Sequence, residues 1–502
     1  MTVKDLIGLI SGSDVRGTAV ETPGSPLTLP PQTARLWAMG YGRWLGGGGT
    51  CGAQAKPVVG VGRDMRLSSP ALHAAAIEGL QAVGCRVVDL GMCTTPACFL
   101  ACVHPATRLD GAIMVTASHH PFDKNGMKFF TPKGGLDKAD LLVAAALAFA
   151  GGTCDGVQGL ESVAFLPLYV DWMVDLVREG IGGGDKPLAG ERIVVDAGNG
   201  MGGFFVEVLQ RLGADTTGSI CLEPDGAFPD GVHNPEQPQG IAPLCRAVRQ
   251  SGASFGILFD PDCDRSAAVD GAGEPIVRNR LIALAATLVG RRPGCTIVTD
   301  SLAGAGVTEF LAARGMRHVR SKRGYRNLIN DMTAINRDGG DCPLAIETSG
   351  HAAFAAHYCM DDGAYLAARL LIAIGLHKRG AGEALDGRTA DLWQPPAEAE
   401  ARIAITAADF GAVQKTVIAA VAVAVATQPG WRVDGENPDG VKVFTGPGER
   451  DWLIVRPSVH DPVLPVNFEA SDDATLRMMV RWLDASLADL PDINAEKIRQ
   501  LL

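Results

Sequence analysis

The sequence predicts an α/β chain made of three successive βαβαβ units and a smaller α+β unit at the carboxyl end. Three observations support this. With 502 residues and 47% hydrophobic content, the chain has room for roughly three to five domains of ordinary size. Strand-like and helix-like segments alternate through most of its length, as they do where apolar strands are covered by helices. After the polar, Pro-containing stretch ADLWQPPAEAEAR the alternation stops, and a strand, one long helix and several short strands follow.

Taken in order, the first unit reads as the strand KPVVGVGRD, a helix over 70–82, the strand CRVVDLG, a helix over 96–102 and the strand GAIMVTA. The second opens on RIVVDAGNG, continues in a helix from Met201 and ends on FGILFD. The third runs from CTIVTD through a helix over 302–314, the strand RHVRSK and a helix after Tyr325 to the strand PLAIE. Largely parallel sheets are expected from this pattern. The tail carries ARIAIT, DWLIVRPS and LPVNFEA as strands, with a terminal helix from about Ala474. The glycine-rich stretches at 46–49 and 182–184 are expected to be surface turns.

Composition narrows the function. The 45 basic and 56 acidic residues give a net charge of −11, which argues against a nucleic-acid or anionic-membrane partner. The longest apolar run, near 417–426, is about half of the ~20 residues of a membrane span. The first residues lack a basic segment followed by a long apolar one. Twelve cysteines without CxxC pairs are too dilute for a disulfide scaffold and are expected to be mostly buried thiols. A soluble, cytoplasmic, multidomain protein is the expectation.

The third strand of each unit runs directly into a polar cluster: Ser118-His119-His120, then Asp260 to Arg265, then Glu347 to His351. Ligands of parallel α/β sheets bind beyond the carboxyl ends of the strands, so three such clusters suggest a composite cleft. In DPDCDR, an extended segment would put Asp260, Asp262 and Asp264 on one face. Crowded carboxylates repel unless a hard cation sits among them, and oxygen ligands select Mg²⁺ or Ca²⁺; a solvated acidic turn is the alternative. Ser118 at a strand end is a nucleophile, a phosphorylation site or a cap. Basic residues concentrate in RSKRGYR (Arg320, Lys322, Arg323 and Arg326) and in RPSVHDP, where Arg456 stands beside Ser458 and His460. Arg beside Ser or Thr hydroxyls suits a phosphate. Arg16 in SGSDVRG is a further anion contact. No GxxxxGKS and no strand-linked GxGxxG is present.

These motifs, TASHHPFDKNGMKFF, DPDCDR, ETSGH and RPSVHDP, occur in the order found in the α-D-phosphohexomutases, and SGSDVRG, VGRDMRLSSP, VVDAGNGMGG and PDGAFPDGVHNPE lie between them. The chain resembles that family over essentially its whole length. The resemblance implies three βαβαβ domains with mixed sheets and a smaller C-terminal α+β domain around a central cleft: a phosphoserine domain (1–160), a metal-binding domain (161–280), a sugar-binding domain (281–395) and a phosphate-binding domain (396–502). It implies an isomerase that interconverts hexose 1- and 6-phosphates of mannose or glucose, with phosphoglucosamine mutase or a non-catalytic sugar-phosphate sensor as alternatives. By the same resemblance Ser118 carries the phosphoryl group and completes the shell of a Mg²⁺ held by Asp260, Asp262 and Asp264, and Arg265 neutralises the group in transfer. Glu347 and Ser349 read sugar hydroxyls, while Arg456, Ser458 and His460 hold the other phosphate. Arg16, His119, Lys128, His351 and Lys322 are implied as further contacts or proton carriers. A hexose 1,6-bisphosphate is the implied intermediate and activator, small sugar phosphates the only partners, and a monomer or homodimer the expected state.

The sequence departs from the family pattern at Pro261 and Cys263, which replace glycines, at Ile346, which replaces the Gly before the sugar loop, and at Val459 and His460 in the phosphate loop. DDG at 361–363 is expected to cap the following helix.

Overall fold

The computed structural model describes residues 1–47, 56–154, 159–231, 233–290, 292–458 and 461–502. Gly48 and Gly49 of the first glycine-rich stretch, and Val459 and His460, lie outside them. The described chain divides into two compact units, Met1–Val277 with Ser349–Arg388, and Arg278–Thr348 with Thr389–Leu502.

The first unit carries an eight-stranded sheet. Its centre is parallel, with Val58–Arg63 between Arg86–Met92 and Gly111–Val115. Lys124–Thr131 then joins Gly111–Val115 antiparallel, and Asp14–Thr18 joins Lys124–Thr131 in the same sense. The helices start where proline and threonine permit. Pro31 opens Pro31–Leu45, and Thr94 caps Thr95–Val103 by accepting the Ala97 N–H at 3.1 Å. Trp37 and Tyr41 pack on Phe129 with ring centroids 5.9 and 5.1 Å apart, filling the core below the sheet.

A second sheet in this unit pairs Ile193–Asp196 parallel with Phe255–Phe259, while Ser266–Asp270 and Pro275–Ile276 add antiparallel. The sheets are mixed, as the resemblance implied, where the alternation alone suggested largely parallel ones: after Gly111–Val115 and after Phe255–Phe259 the chain returns antiparallel beside the strand it has left. The middle strand of the second βαβαβ unit is reduced to isolated bridges at Asp215 and Ile220. Helices Phe165–Ile181 and Gly363–Lys378 belong to this unit, and Gly180 and Gly375 leave room for Ile372 and Ile181 between them.

In the second unit, Thr296–Asp300 pairs parallel with Arg317–Ser321 and with Leu344–Ile346. The tail forms a six-stranded antiparallel sheet around Trp452–Val455, Val463–Ala470 and Ala397–Ile405. Helices Phe410–Val425 and Asp473–Leu487 pack on it, and their apolar residues make its core. No helix among the described residues is long and apolar enough to cross a membrane. Among the described residues ten cysteines are free thiols, and eight of these are buried.

A buried polar group joins this tail to the strand ends of its own unit. Lys442 Nζ lies 3.9 Å from the centre of the Trp452 ring and donates to the Ser301 carbonyl at 3.4 Å. Glu469 accepts from Trp452 Nε1 at 2.9 Å and Asn279 Nδ2 at 2.8 Å. Burial, reinforced by Arg320, depresses Lys442 to about 7, and burial lifts Glu469 to about 6. From about 7 to the ordinary lysine range the unfolded chain holds a proton that the folded chain lacks, so this lysine's contribution to stability grows as pH rises. The Glu469 contribution has the opposite sign and is spent by about pH 6. Against Lys442→Met, the native chain is expected to gain roughly 2 kcal/mol between about pH 7.5 and pH 9 in denaturant unfolding. Parallel curves would show that burial does not penalise this charge.

Candidate active site

The strand Phe255–Phe259 ends at Asp260, and the chain turns back into Ser266–Asp270. The intervening residues are a tight turn, not the extended segment that alternation suggested. The Asp260 carbonyl accepts the Cys263 N–H at 3.1 Å, and the Arg265 N–H donates to Asp260 Oδ1 at 3.2 Å. Turning, rather than alternation, brings the three carboxylates together: one oxygen from each of Asp260, Asp262 and Asp264 lies within 4.8 Å of the others. Cys263 pays for the turn with a left-handed φ of 64°, where glycine is the unstrained residue. Helix Gly363–Lys378 begins against this turn. The Gly363 N–H donates to the Cys263 carbonyl at 3.1 Å, and a Cβ on Gly363 would lie 2.5 Å from the Arg265 carbonyl carbon.

All three aspartates are completely buried. Thr95 fixes Asp262, its Oγ1 donating to Oδ2 at 2.6 Å and its N–H to the backbone carbonyl at 2.9 Å. Lys128 donates to Asp264 Oδ2 and lies 3.7 Å from Asp262 Oδ2. Arg265 pairs with Asp260 through Nε and Nη2 at 3.1 and 3.0 Å, and its Nη1 donates to Asn234 Oδ1 at 3.1 Å. Burial and the neighbouring carboxylates of Asp264 and Asp262 push Asp260 up to about 8, against Arg265. Burial also works against Asp264, but Lys128, His351 and Arg265 outweigh it and hold that carboxyl well below the usual range. Oδ1 of Asp262 and Oδ1 of Asp264 are buried and accept no hydrogen bond. Two orphaned carboxylate oxygens inside a group of three are what an oxygen-seeking cation would satisfy, so the donor set fits a divalent ion.

Ser118 reaches this cluster from the end of Gly111–Val115. Its Oγ donates to Asp260 Oδ2 at 2.9 Å and lies 3.3 Å from His119 Nδ1. Desolvation beside the strand end, then Arg265, lowers the His119 imidazole below its usual pKa, although the residue stays exposed to solvent. Arg16 lies beside the same strand end, with Nη1 donating to the Thr116 carbonyl at 2.7 Å and Nη2 to Asp14 at 2.7 Å. His351 Nδ1 is 2.9 Å from Asp361 Oδ2 and 3.9 Å from Asp264 Oδ1.

Of the residues expected from sequence, the first unit therefore brings together Arg16, Ser118, His119, Lys128, Asp260, Asp262, Asp264, Arg265 and His351, and it also contains Ser349. Thr95, Asn234 and Asp361 were not anticipated as neighbours of the cluster. In DDG it is Asp362 that caps the helix, accepting the Tyr365 N–H at 2.9 Å and also held by Tyr169 and His357. Asp361 instead orients His351.

The second unit holds Glu347, Lys322, Arg456 and Ser458. Glu347 Oε1 accepts the Gly324 N–H at 2.7 Å, which fixes the basic loop to the sugar motif, while Lys322 points to solvent. Thr348 Oγ1 donates to Asp300 Oδ2 at 2.7 Å, and the adjacent Ser301 Oγ donates to Asp439 Oδ2 at 3.2 Å. Asp439 in turn lies 3.7 Å from Arg456 Nη1. Ser458 Oγ accepts the Asp461 N–H at 3.1 Å. His460 lies outside the described residues.

Comparison with known proteins gives the family. Residues 9–142, 180–273 and 278–392 match the family models of phosphoglucomutase/phosphomannomutase α/β/α domains I, II and III. A phosphomannomutase/phosphoglucomutase of Pseudomonas aeruginosa is 31% identical over 490 residues, covering 94% of this chain and 96% of that protein. A phosphoglucosamine mutase of Symbiobacterium thermophilum is 34% identical over 332 residues, 64% of this chain and 71% of its own. Among solved structures, a phosphoglucomutase/phosphomannomutase family protein from Burkholderia thailandensis superposes with a TM-score of 0.77 at 26% identity, covering 98% of this chain and 99% of that one. With three family models matched in order and near-complete coverage by such relatives, the chain belongs to the phosphoglucomutase/phosphomannomutase family of α-D-phosphohexomutases.

Proposed function

We propose that this phosphohexomutase interconverts the 1- and 6-phosphates of mannose or glucose, with Ser118 as the phosphoryl carrier. The observation that supports the reading most directly is the Ser118 hydroxyl, buried and 2.9 Å from the first of three clustered carboxylates. In the first half-reaction the phosphoryl group on Ser118 passes to the free hydroxyl of a hexose monophosphate. The P–O bond to Ser118 breaks, the bond to the sugar oxygen forms, and the hydroxyl loses its proton. The hexose 1,6-bisphosphate then presents its other phosphate, which returns to Ser118 and leaves the isomeric product.

Transfer of this kind depends on positioning and charge neutralisation. Arg265 and Lys128 supply fixed positive charge at the carboxylate cluster, and Arg16 stands beside the strand that delivers Ser118. His119 and His351 are the imidazoles of the cluster placed to carry the hydroxyl proton, and Asp361 holds His351 in orientation. Asp260, Asp262 and Asp264 would hold Mg²⁺, which when bound draws electron density from the phosphoryl oxygens. In the second unit, Glu347 reads sugar hydroxyls and Arg456 with Ser458 holds the phosphate that is not in transfer; Lys322, Ser349 and His460 are the remaining contacts of this reading. The similarity to a phosphoglucosamine mutase supports a second substrate reading on the same machinery.

The test is an isomerisation assay with mannose, glucose and glucosamine 1-phosphates, Mg²⁺ and a trace of the matching bisphosphate. Turnover of mannose or glucose phosphate is expected; turnover of the glucosamine ester alone would favour the second reading, and turnover of none would overturn both. Arg456→Ala is expected to raise KM for the preferred hexose phosphate ten- to a hundredfold, about what a charged hydrogen bond contributes, with kcat changed less. An unchanged KM would remove Arg456 from the phosphate site.

A further inference from the structure

We infer that Arg66 is a positioning residue for Ser118, an inference that rests on the reading of Ser118 as phosphoryl carrier. Arg66 follows the strand Val58–Arg63 and its side chain is completely buried. Nη1 donates to the carbonyls of Pro121 and Lys124 at 2.8 and 3.0 Å, and Nη2 to those of Ser118 and His120 at 2.5 and 2.6 Å. Four carbonyls of the loop 118–124 therefore converge on one guanidinium. Inward-facing carbonyls need donors, and the two terminal nitrogens of a guanidinium offer four N–H groups in one plane, one for each of these carbonyls.

The guanidinium is itself fixed from behind. Nε lies 3.2 Å from Asp64 Oδ2, and Asp64 Oδ1 accepts the Arg66 N–H at 3.0 Å and Ser69 Oγ at 2.5 Å. The Phe228 ring closes the remaining side, 5.1 Å from the Arg66 guanidinium carbon. That ring sits in the PDGAFPDGVHNPE segment, whose Asn234 accepts from Arg265. One segment thus touches both the arginine behind Ser118 and the arginine in front of it.

Ser118 needs such support. Its φ of 49° is left-handed, a conformation that costs an L-residue about 1 kcal/mol or more. Arg66 holds the Ser118 carbonyl, while Thr116 Oγ1 accepts the Ser118 N–H at 3.0 Å. Both ends of the residue are pinned, and its Oγ is left aimed at Asp260. Arg66 acts through this geometry without touching substrate.

The test follows the loading of Ser118 from glucose 1,6-bisphosphate by intact mass, alongside steady-state kinetics on the full chain. Arg66→Lys keeps the charge beside Asp64 but loses the fork. It is expected to slow loading and to lower kcat by about 100-fold, the scale of an ångström-sized misplacement, with KM for glucose 1-phosphate within about threefold. The double variant Asp64→Asn/Arg66→Gln removes both buried charges together, leaves no unpaired carboxylate and is expected to show the same loss if Arg66→Lys does not fold. A merely structural role would lower the unfolding temperature and leave the loading rate per folded molecule unchanged; that result in either variant overturns the inference. A phosphoryl adduct that persists in Ser118→Ala overturns the Ser118 reading and this inference with it. An adduct lost there but loaded normally in the Arg66 variants overturns this inference alone.

Discussion

Ser118→Ala is expected to lower kcat by about 10³-fold or more and to remove the single phosphoryl adduct that intact-mass measurement shows after incubation with a hexose 1,6-bisphosphate. Every phosphoryl group in the proposed cycle passes through this hydroxyl, so no partial route remains when the oxygen is gone. The side chain is small and its hydroxyl makes one strong contact, to Asp260 at 2.9 Å. Folding should therefore survive the change. The backbone at φ 49° strains alanine much as it strains serine, which makes Ser118→Gly an instructive companion. Glycine adopts this conformation freely, so that variant should fold at least as well as Ser118→Ala and be equally inactive. An adduct surviving in either variant, or activity within tenfold of the native chain, would displace Ser118 from its role.

What could be read from the sequence was what lies close together in it. Asp260, Asp262 and Asp264 stand within five positions at a strand end, and so does Ser118 with its histidines. The strands were equally visible, because short apolar runs between polar turns have few other fates. Contacts between distant segments were hidden. Thr95 and Asp262 are 167 positions apart, and only the folded sheet ends bring them to 2.6 Å. Arg66 stands in VGRDMRLSSP, and nothing in that motif indicates that its side chain reaches carbonyls 52 to 58 positions ahead. Asp361 and Asp362 are chemically identical neighbours; one caps a helix and the other orients His351, a division set by which way each side chain leaves the backbone. The alternation of strands and helices alone suggested largely parallel sheets, because it does not show that Lys124–Thr131 returns antiparallel beside Gly111–Val115. Cys263 had been visible as a departure from glycine, and its left-handed φ gives the physical reason that glycine is the usual choice there.

Asp262→Asn is expected to weaken Mg²⁺ binding at the proposed cation site while leaving the fold intact. Of the three aspartates it gives up least on substitution. Asp260 anchors Arg265 and Ser118, and Asp264 anchors Lys128, whereas Asp262 is held by Thr95, whose hydroxyl can donate equally to an amide oxygen. Its Oδ1 is one of the two orphaned oxygens, so the substitution removes charge and a ligand with little other loss. The apparent Mg²⁺ requirement in the isomerisation assay should rise at least ten- to a hundredfold, and kcat at saturating Mg²⁺ should fall by a similar factor. Thermal unfolding supplies a readout independent of turnover. A cation that binds only the folded chain raises its stability by mass action, so the native protein should unfold at a higher temperature with Mg²⁺ than with a chelator, and Asp262→Asn should not. In chelator the order is expected to reverse, because the variant removes one of three crowded, buried carboxyl groups. Burial is the first cause that lifts Asp260 to about 8, Asp264 and then Asp262 add to it, and the substitution relieves the Asp262 part. An identical Mg²⁺-dependent shift in the native chain and the variant would show that the cation, if bound, is held elsewhere.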